Sequence, residues 1–337
     1  MKKVLVTGGL GFIGSHTVVE LQNKGYDVVI IDDLSNSSLE VLDRIISITG
    51  KKPLYENIDL KDQAAVRNFF KKHNTIAGVI HFAASKAVGE SVDKPLDYYH
   101  NNISTLIYLL EEMRANNINN IIFSSSCTVY GQADSMPITE SAPFKPAESP
   151  YGNTKKMGEE IIFDTTKASD LNAIALRYFN PVGAHETAKI GELPIGVPQN
   201  LIPYVTQTAA GIREQLSVFG GDYPTADGTA IRDYIHVVDL AKAHIIAMKR
   251  LLEGKNKSFY EVFNIGTGKG SSVLDVIHAF ENATNTKLNY KIVDRREGDI
   301  IEAYADTSLA QNELKWKAEL SLEDALSSAW KWQQTLE

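Results

Sequence analysis

The chain has 337 residues, 43% hydrophobic and 23% charged, with a net charge of −8. That is globular composition, long enough for two domains or for one large domain with an added lobe, and its acidic balance excludes phosphate-backbone binding as a general property. A single cysteine, Cys127, excludes an intrachain disulfide and a cysteine-rich metal site, and no metal is expected.

The chain opens MKKVLVTGGLGFIG. Two lysines before apolar residues imitate a secretion signal. Gly8, Gly9 and Gly11 break the apolar run and no small-residue cleavage site follows, so that reading fails. No uncharged apolar run approaches a membrane span, and the expected compartment is the cytoplasm. Val4–Val6 reads as a buried strand, and Ser15–Lys24 as the helix after it. Between them, Gly9, Gly11 and Gly14 fit G-x-G-x-x-G, while Gly8, Gly11 and Gly14 fit G-x-x-G-x-x-G. Either spacing gives a tight turn, backbone N–H groups close to a pyrophosphate, and close packing of helix on strand. The next strand, Val28–Ile31, ends at Asp32, 18 residues after Gly14. A carboxylate there accepts from ribose hydroxyls and repels a 2′-phosphate, and no arginine lies between Asp32 and Ser38. The cofactor is therefore expected to be NAD.

Helical patterns Leu39–Ile48, Asp62–Lys72, Leu96–Asn116 and Tyr151–Lys167 alternate with strands Val79–Phe82, Ile121–Phe123 and Ile174–Arg177. Alternating apolar strands and helices predict an α/β fold, a Rossmann-like doubly wound parallel sheet. After Phe179, prolines and glycines cluster and the alternation stops. The expected division is a cofactor-binding domain over 1–180 and a smaller, irregular α/β substrate lobe over 181–337. Helix Val237–Leu252 and strand Val262–Ile265 make parts of 236–270 candidates to rejoin the first domain.

Residues 121–131 read IIFSSSCTVYG, so Ser124, Ser125 and Ser126 end a strand at the sheet edge where α/β folds bind ligands. Turn formation or capping is the plainer use of such serines. Twenty-five residues after Ser126, Tyr151 opens a helix behind Pro150, and Lys155 lies one turn on, on the same face.

TGGLGFIG, the strand-end serine and Tyr-x-x-x-Lys together resemble the extended short-chain dehydrogenase/reductase family. HFAASKAVGESVDKP, SPYGNTK, RYFNPVGAH, DGTAIRDYIHVVDLA and RREGD carry the likeness in order almost to the C-terminus. Those blocks are similar to the family's nucleotide-sugar 4-epimerases. The resemblance implies an enzyme that holds NAD tightly, oxidises sugar C4, lets the 4-keto sugar turn over and returns the hydride to its other face. The implied reaction interconverts UDP-galactose and UDP-glucose without net redox change. Ser126, Tyr151 and Lys155 are the implied catalytic residues, with Tyr151 the base and Ser126 bonded to the same sugar oxygen. A free phenol, with a pKa near ~10, is only about 0.1% ionised at pH 7, and bringing it to neutrality takes about 4 kcal/mol. An ammonium at ~5 Å in an effective dielectric of ~20 supplies roughly 3 kcal/mol, and the positive ring of the oxidised cofactor adds a comparable amount.

By the same resemblance, cofactor contacts fall on Gly8, Gly11, Phe12, Ile13, Gly14, Asp32, Asn36, Ser37, Asp59, Leu60, Phe82, Ala83, Ala84, Lys86, Asn101 and Phe179, besides the catalytic three. Substrate contacts fall on Lys86, Ser126, Tyr151, Asn180, Asn200, Leu201, Ser217, Val218, Phe219, Arg232, Arg296, Asp299 and Ala303. Arg232 and Arg296 suit a pyrophosphate clamp, and Asp299 suits ribose hydroxyls. Cys127 has no histidine in its block and reads as a small packed residue. A homodimer is implied, through Leu96–Asn116 and Tyr151–Lys167. A nucleotide-sugar 4,6-dehydratase is the alternative, but such relatives carry acids where this chain has Cys127 and Thr128. Ala303 borders the sugar pocket by resemblance. A small residue there implies room for an N-acetyl group, so UDP-N-acetylgalactosamine and UDP-N-acetylglucosamine are expected as further substrates. The alternatives are an enzyme strict for the plain sugars, or Tyr304 shifted into that place.

Overall fold

The computed structural model describes residues 2–296 and 299–336, so Glu297 and Gly298 of the RREGD run lie outside the described residues. The chain divides into two compact units. One comprises residues 1–131, 144–177 and 241–263; the other comprises 132–143, 178–240 and 264–337.

The first unit is built on β1 (Lys3–Thr7), β2 (Asp27–Ile31), β3 (Leu54–Glu56), β4 (Ile76–His81), β5 (Asn120–Ser124) and β6 (Asn172–Tyr178). The pairings β3–β2–β1–β4–β5–β6 are all parallel. Strand Tyr260–Ile265 adds a seventh member beside β6. β1, β2, β4 and β5 are buried along nearly their whole length, as a sheet covered by helices on both faces requires. Leu5, Val29, Val79 and Ile121 of the strands pack with Phe69, Phe70, Leu109 and Ile162 of the helices into one core. The chain leaves β1 toward β2 on one side and returns to β4 on the other. That reversal opens a crevice at the carboxyl ends of β1 and β4.

Two elements differ from expectation. Leu54–Glu56 is a strand too short and too exposed to show a pattern. The predicted helix Leu96–Asn116 is Pro95–Tyr99, then a wide π-turn over His100–Ser104, then Thr105–Ala115. The Thr105 hydroxyl donates to the Asn101 carbonyl in that turn. Such turns often mark functional positions, and Asn101 is a predicted cofactor contact.

In the second unit, helices Leu201–Ala209, Val273–Thr284 and Leu322–Gln333 bury Val205, Val276, Phe280 and Leu326 together. Reciprocal capping boxes, Ser272 with Asp275 and Ser321 with Asp324, start two of these helices. Strand Ile231–Arg232 lies between Ser271–Ser272 and Glu302–Ala303. Among the described residues no helix is long and apolar enough to cross a membrane.

Candidate active site

The glycine-rich turn shows why glycine is needed. Gly8 has φ +68°, and a Cβ there would stand 2.8 Å from the Ala83 nitrogen. A Cβ on Gly14 would stand 2.1 Å from the Gly8 carbonyl oxygen and 2.9 Å from the Gly9 Cα. The turn thus closes on itself and on the residues after β4. Gly11 precedes helix Phe12–Asn23 with an extended backbone. No side chain caps that helix, and its first turn holds no acid. Its amide N–H groups are available to an anion.

Asp32 pins this turn. Its Oδ2 accepts from the Leu10 N–H at 2.9 Å; its Oδ1 accepts from the Leu34 N–H at 3.0 Å and the Ser37 hydroxyl at 2.7 Å. Asn36 beside it is exposed. Phe12 and Ile13 are half-buried on the helix's first turn. Asp59 is half-buried and accepts from the Lys61 N–H, next to buried Leu60. Phe82, Ala83 and Ala84 follow β4, half-buried, while Lys86 is exposed. The Asn101 side chain donates to the Ser85 hydroxyl at 3.0 Å. Asn102 clamps the same loop: it accepts from the Ser85 N–H and donates to the Ser85 carbonyl and to the Thr154 hydroxyl. A turn that a Cβ would fill, an uncapped helix start and a carboxylate at the end of β2 fit a dinucleotide.

Ser126 has an extended backbone and caps the short turn Cys127–Tyr130, accepting from the Thr128 N–H at 3.2 Å. It therefore does what the plainer reading of these serines required. Tyr151 and Lys155 lie on helix Pro150–Lys167, which Ser149 caps and Pro150 opens. Both side chains are buried, at 8% and 4% exposure. The Lys155 ammonium donates to the Ser124 carbonyl at 2.8 Å and lies 5.9 Å from the centre of the Tyr151 ring and 5.1 Å from that of Phe123. This hydrogen bond ties the tyrosine helix to the strand that ends in the serines. Burial pushes Lys155 down to about 8, with Glu159 opposing that shift. His81, bonded to the Thr7 hydroxyl at 2.8 Å, is pushed down to about 3 by burial first and by the Lys155 charge second, so it stays neutral.

A pH dependence follows. As pH rises through about 8, Lys155 loses its proton and with it the charge beside the Tyr151 ring. The turnover rate should decline above that pH, and a rate profile over pH 6–10 checks it. Folding stability should move the other way. The folded Lys155 binds fewer protons than the unfolded one between about 8 and its ordinary value, so its contribution to stability grows as pH rises across that window.

In the second unit, Asn180 opens strand Asn180–Val182 and Phe179 before it is buried. Asn200 and Leu201 start a helix, and the Asn200 side chain donates to Glu192 at 2.6 Å. Ser217, Val218 and Phe219 lie on strand Leu216–Phe219. Arg296 donates to both oxygens of Asp299, at 3.0 and 3.1 Å, and its guanidinium lies 5.0 Å from the Phe219 ring centre. An Arg232 nitrogen lies 3.9 Å from the same carboxylate. Asp299 is thus the anion between the two arginines. Ala303, 2% exposed, pairs with Arg232 in the short sheet. A Cβ on Gly270 would meet the Tyr304 ring at 3.1 Å.

Sequence reasoning missed two buried carboxylates. Asp233 accepts from the Thr267 N–H at 2.8 Å, the Thr267 hydroxyl at 2.6 Å and the N–H groups of Gly268 and Ala305. It thereby fixes the strand that carries Arg232 against the one that carries Ala303. Burial raises its carboxyl above the usual range, and these bonds offset part of that rise. Glu159, on the same helix as Tyr151 and Lys155, pairs with Arg177 at 2.6 Å. The one available signal was Glu159 standing four residues beyond Lys155.

A doubly wound parallel sheet with this turn, this serine and this Tyr/Lys pair defines an extended short-chain dehydrogenase/reductase. Residues 5–329 match the family model described as GDP-mannose 4,6 dehydratase. UDP-glucose 4-epimerase of Mus musculus is 51% identical over 99% of this chain and 97% of that protein; that of Bacillus subtilis is 50% identical over 98% and 97%. The structure resembles UDP-glucose-4-epimerase from Stenotrophomonas maltophila with bound NAD and formylated UDP-arabinopyranose (TM-score 0.96, 47% identity, 100% and 99% of the two chains). It also resembles the Bifidobacterium longum enzyme in complex with NAD+ and UDP (TM-score 0.95, 48% identity, 99% and 98%). The chain belongs to the UDP-glucose 4-epimerases of the extended short-chain dehydrogenase/reductase class.

Proposed function

We propose that the chain interconverts UDP-galactose and UDP-glucose with a resident NAD. The observation that carries this is the site itself. Buried Tyr151 lies within one ammonium's reach of Lys155, and Lys155 is bonded to the serine strand beside a dinucleotide turn. Identity near 50% to epimerases over the whole chain supports the same reading, and leaves the dehydratase alternative unfavoured.

Tyr151 takes the proton from the sugar 4-hydroxyl and later returns it, while Ser126 bonds the same oxygen and holds it in line. Lys155 supplies the charge that lowers the phenol. Bound NAD supplies the acceptor and donor for the C4 hydride. Gly8, Gly11 and Gly14 seat its pyrophosphate, and Asp32 takes a ribose. Arg232 and Arg296 hold the substrate pyrophosphate once its oxygens replace Asp299 on the guanidinium groups, and the freed carboxylate then accepts from ribose. Phe219 offers a face for the base. Purified protein given UDP-galactose and no added cofactor should form UDP-glucose. No reaction, even after NAD is added, would overturn this assignment.

A second substrate class is supported by Ala303. Its side chain is small and sits on the strand position paired with Arg232. We propose that UDP-N-acetylgalactosamine and UDP-N-acetylglucosamine are also interconverted. Ala303→Tyr should cut turnover of the acetylated sugars at least about tenfold relative to the plain ones, the loss expected when a pocket is filled by a bulky group. An unchanged ratio sinks the pocket argument.

A homodimer is proposed as well. Leu96, Ile107 and Phe163, on the helices the resemblance implies as its interface, are exposed at 80%, 38% and 43%. Light scattering at micromolar protein decides it.

A further inference from the structure

Glu159 is 2% exposed and lies one helical turn beyond Lys155. Both its oxygens are doubly engaged. Oε1 accepts from the Ser125 hydroxyl and from Arg177 Nε at 2.9 Å; Oε2 accepts from Arg177 Nη2 at 2.6 Å and from the Tyr260 hydroxyl at 3.0 Å. Arg177 also donates from Nη1 to the Tyr130 phenol at 2.9 Å. Its guanidinium also lies 4.8 Å from the centre of the Phe144 ring.

The two ends of this network flank Ser126. Ser125 precedes it directly, and its N–H donates to the Leu176 carbonyl at 3.0 Å. Tyr130 ends the short turn that Ser126 caps. The third branch is the helix that bears Tyr151 and Lys155. A buried ion pair gains little stability over an apolar replacement of the same shape, so its presence calls for another reason. Here the reason is visible in what it joins.

We propose that Glu159 is a positioning residue for the epimerase reaction: it fixes the serine strand to the tyrosine helix through Ser125. This inference rests on the reading of Ser126, Tyr151 and Lys155 given above. The groups facing Lys155 are Glu159 on its own helix, Tyr151, and His81 and the Phe123 ring from the sheet. His81 is neutral; Glu159, its field partly offset by its own pair with Arg177, supplies an electrostatic half of the role by opposing loss of the Lys155 charge. Arg177, Ser125 and Tyr260 face Glu159 in turn.

The test compares holoenzyme variants for conversion of UDP-galactose across pH. Wild-type conversion comes first, because its absence defeats the functional reading and leaves Glu159 aside. Ser125→Ala keeps the ion pair and the Lys155–Ser124 bond and removes the Glu159 link to the strand. It should lower kcat about ten- to a hundredfold with KM nearly unchanged, as a small misplacement of reacting groups does. Glu159→Gln should move the alkaline fall in kcat to lower pH by about one unit, and Glu159→Asp should leave that fall in place. Should Glu159→Gln not fold, Glu159→Gln with Arg177→Met, which leaves no orphaned charge, is read in the same way. Wild-type kcat in Ser125→Ala overturns the strand link. A wild-type alkaline limb in a folded variant lacking the Glu159 charge overturns the electrostatic half.

Discussion

Replacing Tyr151 by phenylalanine should lower kcat by about 10³- to 10⁴-fold, the range that removal of a positioned acid–base group produces. The change deletes one oxygen. Phenylalanine keeps the ring, so the buried helix face and the approach of Lys155 are retained. In the proposed role the oxygen acts on a proton in flight and contributes little to ground-state binding, so KM for UDP-galactose should stay within a few-fold. Bound NAD should also be retained, because the glycine turn and Asp32 lie on other elements. The magnitude discriminates between mechanisms. Ser126 is the other hydroxyl proposed to meet the sugar oxygen. A loss of less than about tenfold in Tyr151→Phe would hand the base role to Ser126, since a true base contributes at least about 10². The matching serine variant, Ser126→Ala, should then be the more damaged of the two, and parallel rate measurements settle the order.

The residues that made the fold legible are those whose chemistry is local. Val4–Val6 and Val28–Ile31 read as parallel strands because burial on both faces leaves no polar alternation to confuse them. Gly8 and Gly14 read as a cradle because only glycine fits where a Cβ would touch backbone. Leu54–Glu56 was not legible: an edge strand of three half-exposed residues buries too little to leave a pattern. The π-turn at His100–Ser104 was hidden for a different reason. Its residues sit inside a helical periodicity that a single wider turn does not interrupt. Capping by Ser126 is compatible with the catalytic role proposed for it, because the cap uses one lone pair of the hydroxyl and leaves its proton for a ligand. Glu159 and Arg177 escaped because their partner is 18 residues away in sequence and adjacent only across the fold. No spacing rule joins a helix to a strand at that distance. The same holds for Asp233, whose four donors come from residues 267, 268 and 305.

Gly14→Ala should yield protein that is purified with little or no NAD and is destabilised by about 1–3 kcal/mol, the usual cost of forcing a methyl group into filled space. The clash is with backbone: the added carbon would stand 2.1 Å from the Gly8 carbonyl oxygen and 2.9 Å from the Gly9 Cα. No side-chain rotation can relieve it, so the turn or the helix start must move. Gly8 has little room to yield. It holds φ +68°, donates its N–H to the Ile31 carbonyl at 2.8 Å and accepts from Gly11 at 3.1 Å. Displacement therefore falls on the start of helix Phe12–Asn23, whose open N–H groups are the proposed seat of the pyrophosphate. Gly89→Ala is the control. That glycine lies in helix Val88–Asp93, has no positive φ, and nothing stands within 4 Å of its would-be Cβ. Alanine there should leave NAD content and rate unchanged and raise stability by up to about 1 kcal/mol through helix propensity. Cofactor released by denaturation and quantified by its absorbance gives the occupancy, and thermal melts give the stability. If Gly14→Ala kept wild-type occupancy and rate while melting lower, the turn would be a packing device, and the pyrophosphate seat would have to be sought elsewhere along the carboxyl edge of the sheet.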